Sequence, residues 1–170
     1  QPNLGKDKDK LAEIIGNYDG LAIRSATKAT AKIIEKATKL KVIGRAGIGV
    51  DNVEIPAATA KGIIVMNTPF GNSITTAEHA ITLMLALARE IPQADASTQA
   101  GKWEKNRFMG VELTGKTLGL IGCGNIGSIV CSRAIGLKMH VLAYDPFLSK
   151  ERAEVMGVTK VELDELLAQA

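Results

Sequence analysis

Cysteine is scarce in this chain, with two in 170 residues. Two thiols, Cys123 and Cys131, cannot build a disulfide framework, and their spacing matches no zinc site, so no metal is expected. They read as reduced thiols of a cytoplasmic protein. Cys123 stands just ahead of a helical pattern, where a thiol is mildly activated, yet no catalytic role falls to it. Charge of one sign is lacking too. Basic residues number 21 against 18 acidic ones, a net charge of +3 spread along the chain, so nucleic acid is not an expected partner. Lys6, Lys8 and Lys10, alternating with Asp7 and Asp9, read as a solvated segment. No apolar run is long enough to span a bilayer and no secretory signal is visible, so no membrane partner is expected. The chain starts at Gln1 rather than Met, which leaves room for a preceding segment. Aromatics make up 4% of the residues, so the single tryptophan, Trp103, stands out among its polar neighbours.

What is present is the composition of a folded protein, 46% hydrophobic and long enough for one to two domains. Short strands and helices alternate. Leu11 to Ile15 carry a helical pattern ended by Gly16-Asn17, and Leu21 to Ile23 read as a buried strand. Thr30 is placed to cap a helix whose inner side is Ile33, Ile34 and Ala37. Leu40 to Ile43 form a strand entering a glycine-rich loop, Gly44 to Gly49. A short helix follows at Ile55 to Ala60, then a strand at Ile63 to Met66. This alternation implies a parallel sheet covered on both faces.

Asn67 to Ser73 break the pattern, and the domain boundary is expected there, with domains at 1–68 and 69–170. A long helix is expected over about 75–89, with Thr75 and Glu78 at capping-box spacing. Its apolar residues, Ile81, Leu83, Met84, Leu85 and Leu87, spread around most of the circumference, the pattern of a crossover helix buried on most sides. Residues 92–116 then read as an arm. Trp103 within it either covers a core edge or anchors a subunit interface.

The most informative stretch is Gly122-Cys123-Gly124-Asn125-Ile126-Gly127. A strand-like run, Thr117 to Ile121, leads into it. A helix follows, then a second strand, His140 to Tyr144, which delivers Asp145. That order is what a dinucleotide-binding βαβ unit requires. Gly122 serves the tight turn, Gly124 lets backbone approach a pyrophosphate, and Gly127 lets helix and strand pack closely. The free N–H groups of the helix N-terminus favour the anion. Asp145 can accept from both hydroxyls of an adenosine ribose and would repel a 2′-phosphate, so the expected cofactor is NAD. Beyond Asp145, Ser149 caps a helix ended by Gly157, and Val161 to Ala168 suggest another. Two strands of this second sheet are clear, with a possible third element.

Five segments in order carry a resemblance over almost the whole chain: Gly20 to Lys28 (GLAIRSATK), Gly44 to Val53 (GRAGIGVDNV), Val65 to His79, Gly101 to Gly115 (GKWEKNRFMGVELTG) and the glycine fingerprint. Together they resemble the D-isomer-specific 2-hydroxyacid dehydrogenases, and within that family the phosphoglycerate dehydrogenase branch. The resemblance implies an α/β chain: a flavodoxin-like substrate domain, N-terminally incomplete, and a Rossmann NAD-binding domain, C-terminally incomplete. It implies NAD-dependent oxidation of 3-phosphoglycerate to 3-phosphohydroxypyruvate, the first step of serine biosynthesis. Alternatives are a hydroxypyruvate- or glyoxylate-type dehydrogenase, or an NAD-sensing corepressor without turnover.

The resemblance also implies roles for single residues. Arg24 and Ser25 would meet the substrate, with Arg24 neutralising its phosphate. Backbone N–H groups of Ala46, Gly47 and Ile48 would face its carboxylate, and Ile48 would also lie beside the nicotinamide. Asn72 would bond the substrate phosphate. Asn125 and Ile126 would contact the pyrophosphate through backbone, and Asp145 the ribose. The family's His, Glu and Arg catalytic set falls past Ala170, so no catalytic residue is expected here and the chain alone is expected to be inactive. Of the two histidines, His79 is expected to be structural and His140 exposed. The family further implies a homodimer or homotetramer through the 92–116 arm.

Overall fold

The structure, a computed structural model, describes residues 7–170; Lys6 of the alternating segment lies outside them. The chain divides into two compact units, Gln1–Asn72 and Ser73–Ala170.

The first unit holds helix α1 (Lys8–Ile14), strand β1 (Gly20–Ile23), α2 (Ala31–Lys36), β2 (Val42–Arg45), α3 (Ile55–Ala60) and β3 (Ile64–Asn67). Asp7 to Lys10 are exposed, as the alternation suggests, but Lys8 to Lys10 are also helical. Asp7 caps α1 by accepting from the Lys10 N–H at 3.0 Å, which supplies the start that the apolar pattern alone could not. The strands run parallel in the order β1-β2-β3, with Ile23 opposite Arg45 and Arg45 opposite Asn67. Ile23, Ile43 and Val65 face a core built with Leu11, Ile15, Ile33, Ile34 and Ala58. Coverage of both faces, expected from the alternation, does not occur among the described residues. Ala22 is exposed, as are Ile64 and Met66. The strand order explains this: right-handed crossovers that step one way across a sheet place their helices on one side.

The second unit holds α4 (Ser73–Ala88), α5 (Ile91–Gln99), β4 (Thr117–Ile121), α6 (Asn125–Gly136), β5 (His140–Tyr144), α7 (Lys150–Met156), β6 (Thr159–Lys160) and α8 (Leu163–Gln169). Its strands are also parallel, in the order β4-β5-β6. Leu118, Leu120, Val141 and Ala143 meet α6 in a second core. The possible third element is the two-residue β6, paired to Leu142 and Ala143. Helix α8 packs on β4 and β5 over Gly119, where a methyl group would overlap Leu166 and Ala170. Gly119 points away from Leu118 and Leu120, so α8 lies on the face opposite α6. A helix that changes face in this way marks a doubly wound sheet.

Two readings of helix α4 need correction. Helix α4 begins at Ser73, so Thr75 lies inside the first turn and is not its cap. Nor is α4 buried on most sides. Ser73 and Ala77 are its buried residues, while Leu83 is 58% and Leu87 79% exposed. Helix α6 packs against one stripe of α4, and the rest of its apolar surface has no cover among the described residues. The arm opens with a helix. Pro92 sits in the first turn of α5, where a missing N–H costs nothing.

Candidate functional site

In the second unit, the glycine fingerprint folds as its spacing demands. Strand β4 continues the ladder for one more bond, from the Gly122 N–H to the Tyr144 carbonyl at 2.8 Å. Gly122 then turns with φ 94°, a conformation that disfavours any side chain. Gly124 precedes α6, and a Cβ there would meet nothing within 4 Å. That open space is the approach a pyrophosphate needs. Gly127 is the reverse case, since a methyl on it would overlap the Gly122 carbonyl. The first bond of α6 runs from the Ser128 N–H to the Gly124 carbonyl. The N–H groups of Asn125, Ile126 and Gly127 therefore have no partner within the helix.

Asp145 closes the loop. Its Oδ2 accepts from the Cys123 N–H at 2.7 Å and its Oδ1 from the Phe147 N–H at 2.7 Å. These two bonds, the Cys123 one first, hold the Asp145 carboxyl below the usual carboxylate range. The group is therefore charged at neutral pH, and each oxygen keeps a lone pair for a diol. The Cys123 side chain turns inward. It is buried, and its sulfur lies 3.8 Å from the buried Cys131 sulfur. An accessible Cys123 thiol is thus not what the fold provides.

In the first unit, Arg24 and Ser25 follow β1 and are exposed. Asn52 holds that turn: its buried side chain donates to the Arg24 carbonyl at 2.9 Å and to the Thr27 carbonyl at 2.6 Å. The Gly44 to Gly49 loop is stitched at its far side. Asn67 donates to the Ile48 carbonyl at 2.8 Å, and the Thr68 N–H donates to the Gly47 carbonyl at 3.0 Å. One expected donor of this loop is engaged elsewhere. The Ala46 N–H donates to the Ile23 carbonyl at 2.9 Å, so it belongs to the sheet and cannot face a carboxylate. Gly47 and Ile48 remain as candidate donors. Asn72, exposed, ends this unit.

Three residues of this unit escaped the sequence reading. Arg45 lays its guanidinium against Gly47, and its Nε is buried without a partner. A cation placed under a loop of backbone donors adds positive potential to that loop. Asn52 and Asn67 position backbone without marking themselves in the sequence, because an asparagine in a polar loop looks the same whether it holds a turn or faces solvent.

His79 and His140 are both exposed; the second is as expected, while His79 does not sit in a core. Trp103 is 83% exposed, so it covers no core edge. Beside the arm, an open groove of about 650 Å³ is lined by Met84, Leu87, Glu90, Arg107, Met109 and Val111. Among the described residues, no cluster of three or more His, Cys, Asp or Glu could hold a metal ion, and no helix is long and apolar enough to cross a membrane.

Residues 2–166 match the family model described as D-isomer specific 2-hydroxyacid dehydrogenase, catalytic domain. The chain is similar to D-3-phosphoglycerate dehydrogenase of Archaeoglobus fulgidus, 55% identical across 98% of this chain and 32% of that protein. It is also similar to the enzyme of that name from Synechocystis, 51% identical across 98% of this chain and 30% of that protein. It thus spans about a third of the length of these curated relatives. Among solved structures it is similar to D-lactate dehydrogenase from Aquifex aeolicus complexed with NAD and lactic acid, with TM-score 0.85 and 26% identity over 94% of this chain and 48% of that one. The TT0316 protein from Thermus thermophilus gives TM-score 0.88 and 31% identity over 96% of this chain and 52% of that one. The fold is the α/β architecture of parallel sheets that these dehydrogenases share, and the chain belongs to the D-isomer specific 2-hydroxyacid dehydrogenase family.

Proposed function

We propose that this chain supplies the phosphate-binding and dinucleotide-binding parts of an NAD-dependent phosphoglycerate dehydrogenase, which oxidises 3-phosphoglycerate to 3-phosphohydroxypyruvate in serine biosynthesis in the cytoplasm. The observation that carries the reading is the charged Asp145 carboxylate fastened to the Cys123 N–H, beside the open space over Gly124. A pyrophosphate fits that space at the N-terminus of α6, over the Asn125 and Ile126 N–H groups. A ribose diol fits the lone pairs of Asp145, and a 2′-phosphate does not. The relatives' name supports the substrate half of the reading.

On this reading, residues 1–68 bind substrate and 69–170 bind NAD. Arg24, on the turn pinned by Asn52, pairs with the substrate phosphate. Ser25 and Asn72 add polar contacts to it. The Gly47 and Ile48 N–H groups receive the carboxylate, with Arg45 behind them, and Ile48 borders the nicotinamide. When bound, NAD accepts hydride from C2 of the hydroxy acid. Neither His79 nor His140 serves as the proton acceptor, and the 170-residue chain alone does not turn over substrate. The exposed apolar surface of α4, with Trp103 and Met109 at 83% and 72% exposure, is where a second copy docks to form a homo-oligomer.

The test is NADH formation by full-length protein with 3-phosphoglycerate and with unphosphorylated glycerate. Arg24→Ala should lower kcat/KM for the phosphorylated substrate by about a hundredfold, the loss of one charge-assisted contact, and leave the other substrate within about threefold. Equal losses on both would remove Arg24 from the phosphate site.

A further inference from the structure

We propose that Cys123 and Cys131 form a modification site, a dithiol inside the dinucleotide loop that low-molecular-weight disulfides such as oxidised glutathione convert to a reversible disulfide. The inference rests on the dinucleotide reading of that loop for its consequence, though not for its chemistry. The two sulfurs are 3.8 Å apart, in contact, and would close to the ~2.05 Å of a disulfide. Both are free, and they are 3% and 1% exposed. Cys131 is held in the core of α6 beside Ala134 and Val141. Cys123 stands between two glycines, Gly122 and Gly124, in a loop with open space over Gly124. The loop is therefore the partner that moves.

The movement has a stated cost. The Cys123 N–H is the donor to Asp145 Oδ2. Drawing Cys123 toward α6 pulls that N–H from the carboxylate expected to read the ribose. Oxidation and dinucleotide binding then oppose each other, and by linkage each weakens the other equally. Burial is part of the device. It pushes the Cys131 thiol up to about 12, with the neighbouring Cys123 adding to the rise, so that thiol stays protonated while the site is closed. An oxidant reaches either sulfur when the loop lifts, and a dinucleotide lying over Gly124 would hold the loop down.

The reaction balances in two exchanges. The Cys123 thiol gives its proton to solvent, and its sulfur attacks the oxidant's S–S bond. A mixed disulfide forms, and one glutathione thiolate leaves and is protonated. The Cys131 sulfur, losing its own proton, then attacks Cys123 Sγ. The second glutathione leaves as thiol, so two protein thiols are oxidised and one glutathione disulfide is reduced to two thiols.

Trypsin cleavage after Lys116 and Arg133 places both cysteines in one peptide, residues 117–133. Full-length protein is incubated with oxidised glutathione under native conditions, with and without NAD, then alkylated and digested. The expected result is a 117–133 peptide that has lost two hydrogens and retains no glutathione. NAD should slow its formation about tenfold, and the oxidised protein should bind NAD about tenfold more weakly until dithiothreitol restores it. Cys131→Ser should stop at a glutathione adduct on Cys123. Two alkylated cysteines in that peptide after prolonged oxidation would overturn the proposal, as would a disulfide that leaves NAD affinity unchanged. If reduced protein binds no NAD, the dinucleotide reading fails, and the peptide mass still decides the disulfide.

Discussion

The two glycine-rich loops of this chain look alike in sequence and work by different physics. Each continues a parallel strand, β2 running through Gly44 and Arg45 into Ala46 to Gly49, and β4 into Gly122 to Gly127. After the second, α6 begins at Asn125, within the fingerprint itself. After the first, no helix begins until Ile55. The second loop therefore ends in a row of helix N–H groups and a dipole, with an acid across from it. The first has neither. It is shaped by side chains, Asn67 on the Ile48 carbonyl and Arg45 beneath Gly47. One loop is shaped by backbone order, and the other by side-chain placement.

Substitution of glycines separates the two. Gly127→Ala should have the largest effect, because its methyl would overlap a carbonyl that cannot move without breaking the strand-to-helix turn. A loss of about 2–3 kcal/mol in denaturant unfolding is expected, together with loss of NAD binding. Gly124→Ala, with open space around it, should leave unfolding unchanged and still weaken NAD about tenfold or more, read by calorimetry on full-length protein. Similar unfolding losses in both variants would show that the loop is a packing element without a cradle.

Asn52→Ala comes next. Its amide holds the carbonyls of Arg24 and Thr27, and removing it should cost about 1–3 kcal/mol. On the account above it should also raise KM for the phosphorylated substrate by loosening Arg24. Gly47→Ala should cost about 1–3 kcal/mol as well, because its φ of 156° is one that a side chain rarely adopts; the methyl's contact with the Arg45 guanidinium adds little, since that side chain can shift. The smallest effect is that of pH. The Asp145 carboxyl is depressed in the folded state, so its contribution is complete above the unfolded value, about 3.9. It is lost as pH falls through the lower folded value. The difference in melting temperature between wild type and Asp145→Asn should therefore shrink in acid. A constant difference would mean the two backbone bonds do not depend on its charge.

These contrasts also show what could be read without coordinates. The second loop was legible because its chemistry is local: three glycines, a helix and an acid at the end of the next strand all lie in one stretch of chain. Helix α7 was legible for the same reason, with Ser149 accepting from the Arg152 N–H and Gly157 at φ 70°. The first loop was legible in outline, since its glycines are visible. Its support Asn67 was not, nor was Asn52 on the Arg24 turn, because both act on residues far along the chain. The use of the Ala46 N–H depends on strand pairing, and sequence does not show where a strand's ladder stops. Helix α4 misled in the opposite direction. Its apolar residues report that a surface must be covered, and they do not say by what.

The most direct test of the account is NADH formation from 3-phosphoglycerate and NAD by full-length protein, followed by its absorbance. The account predicts NADH formation with NAD in strong preference to NADP, with that preference lost in Asp145→Ala. An absence of NADH, or a preference untouched by removal of the Asp145 carboxylate, would contradict it.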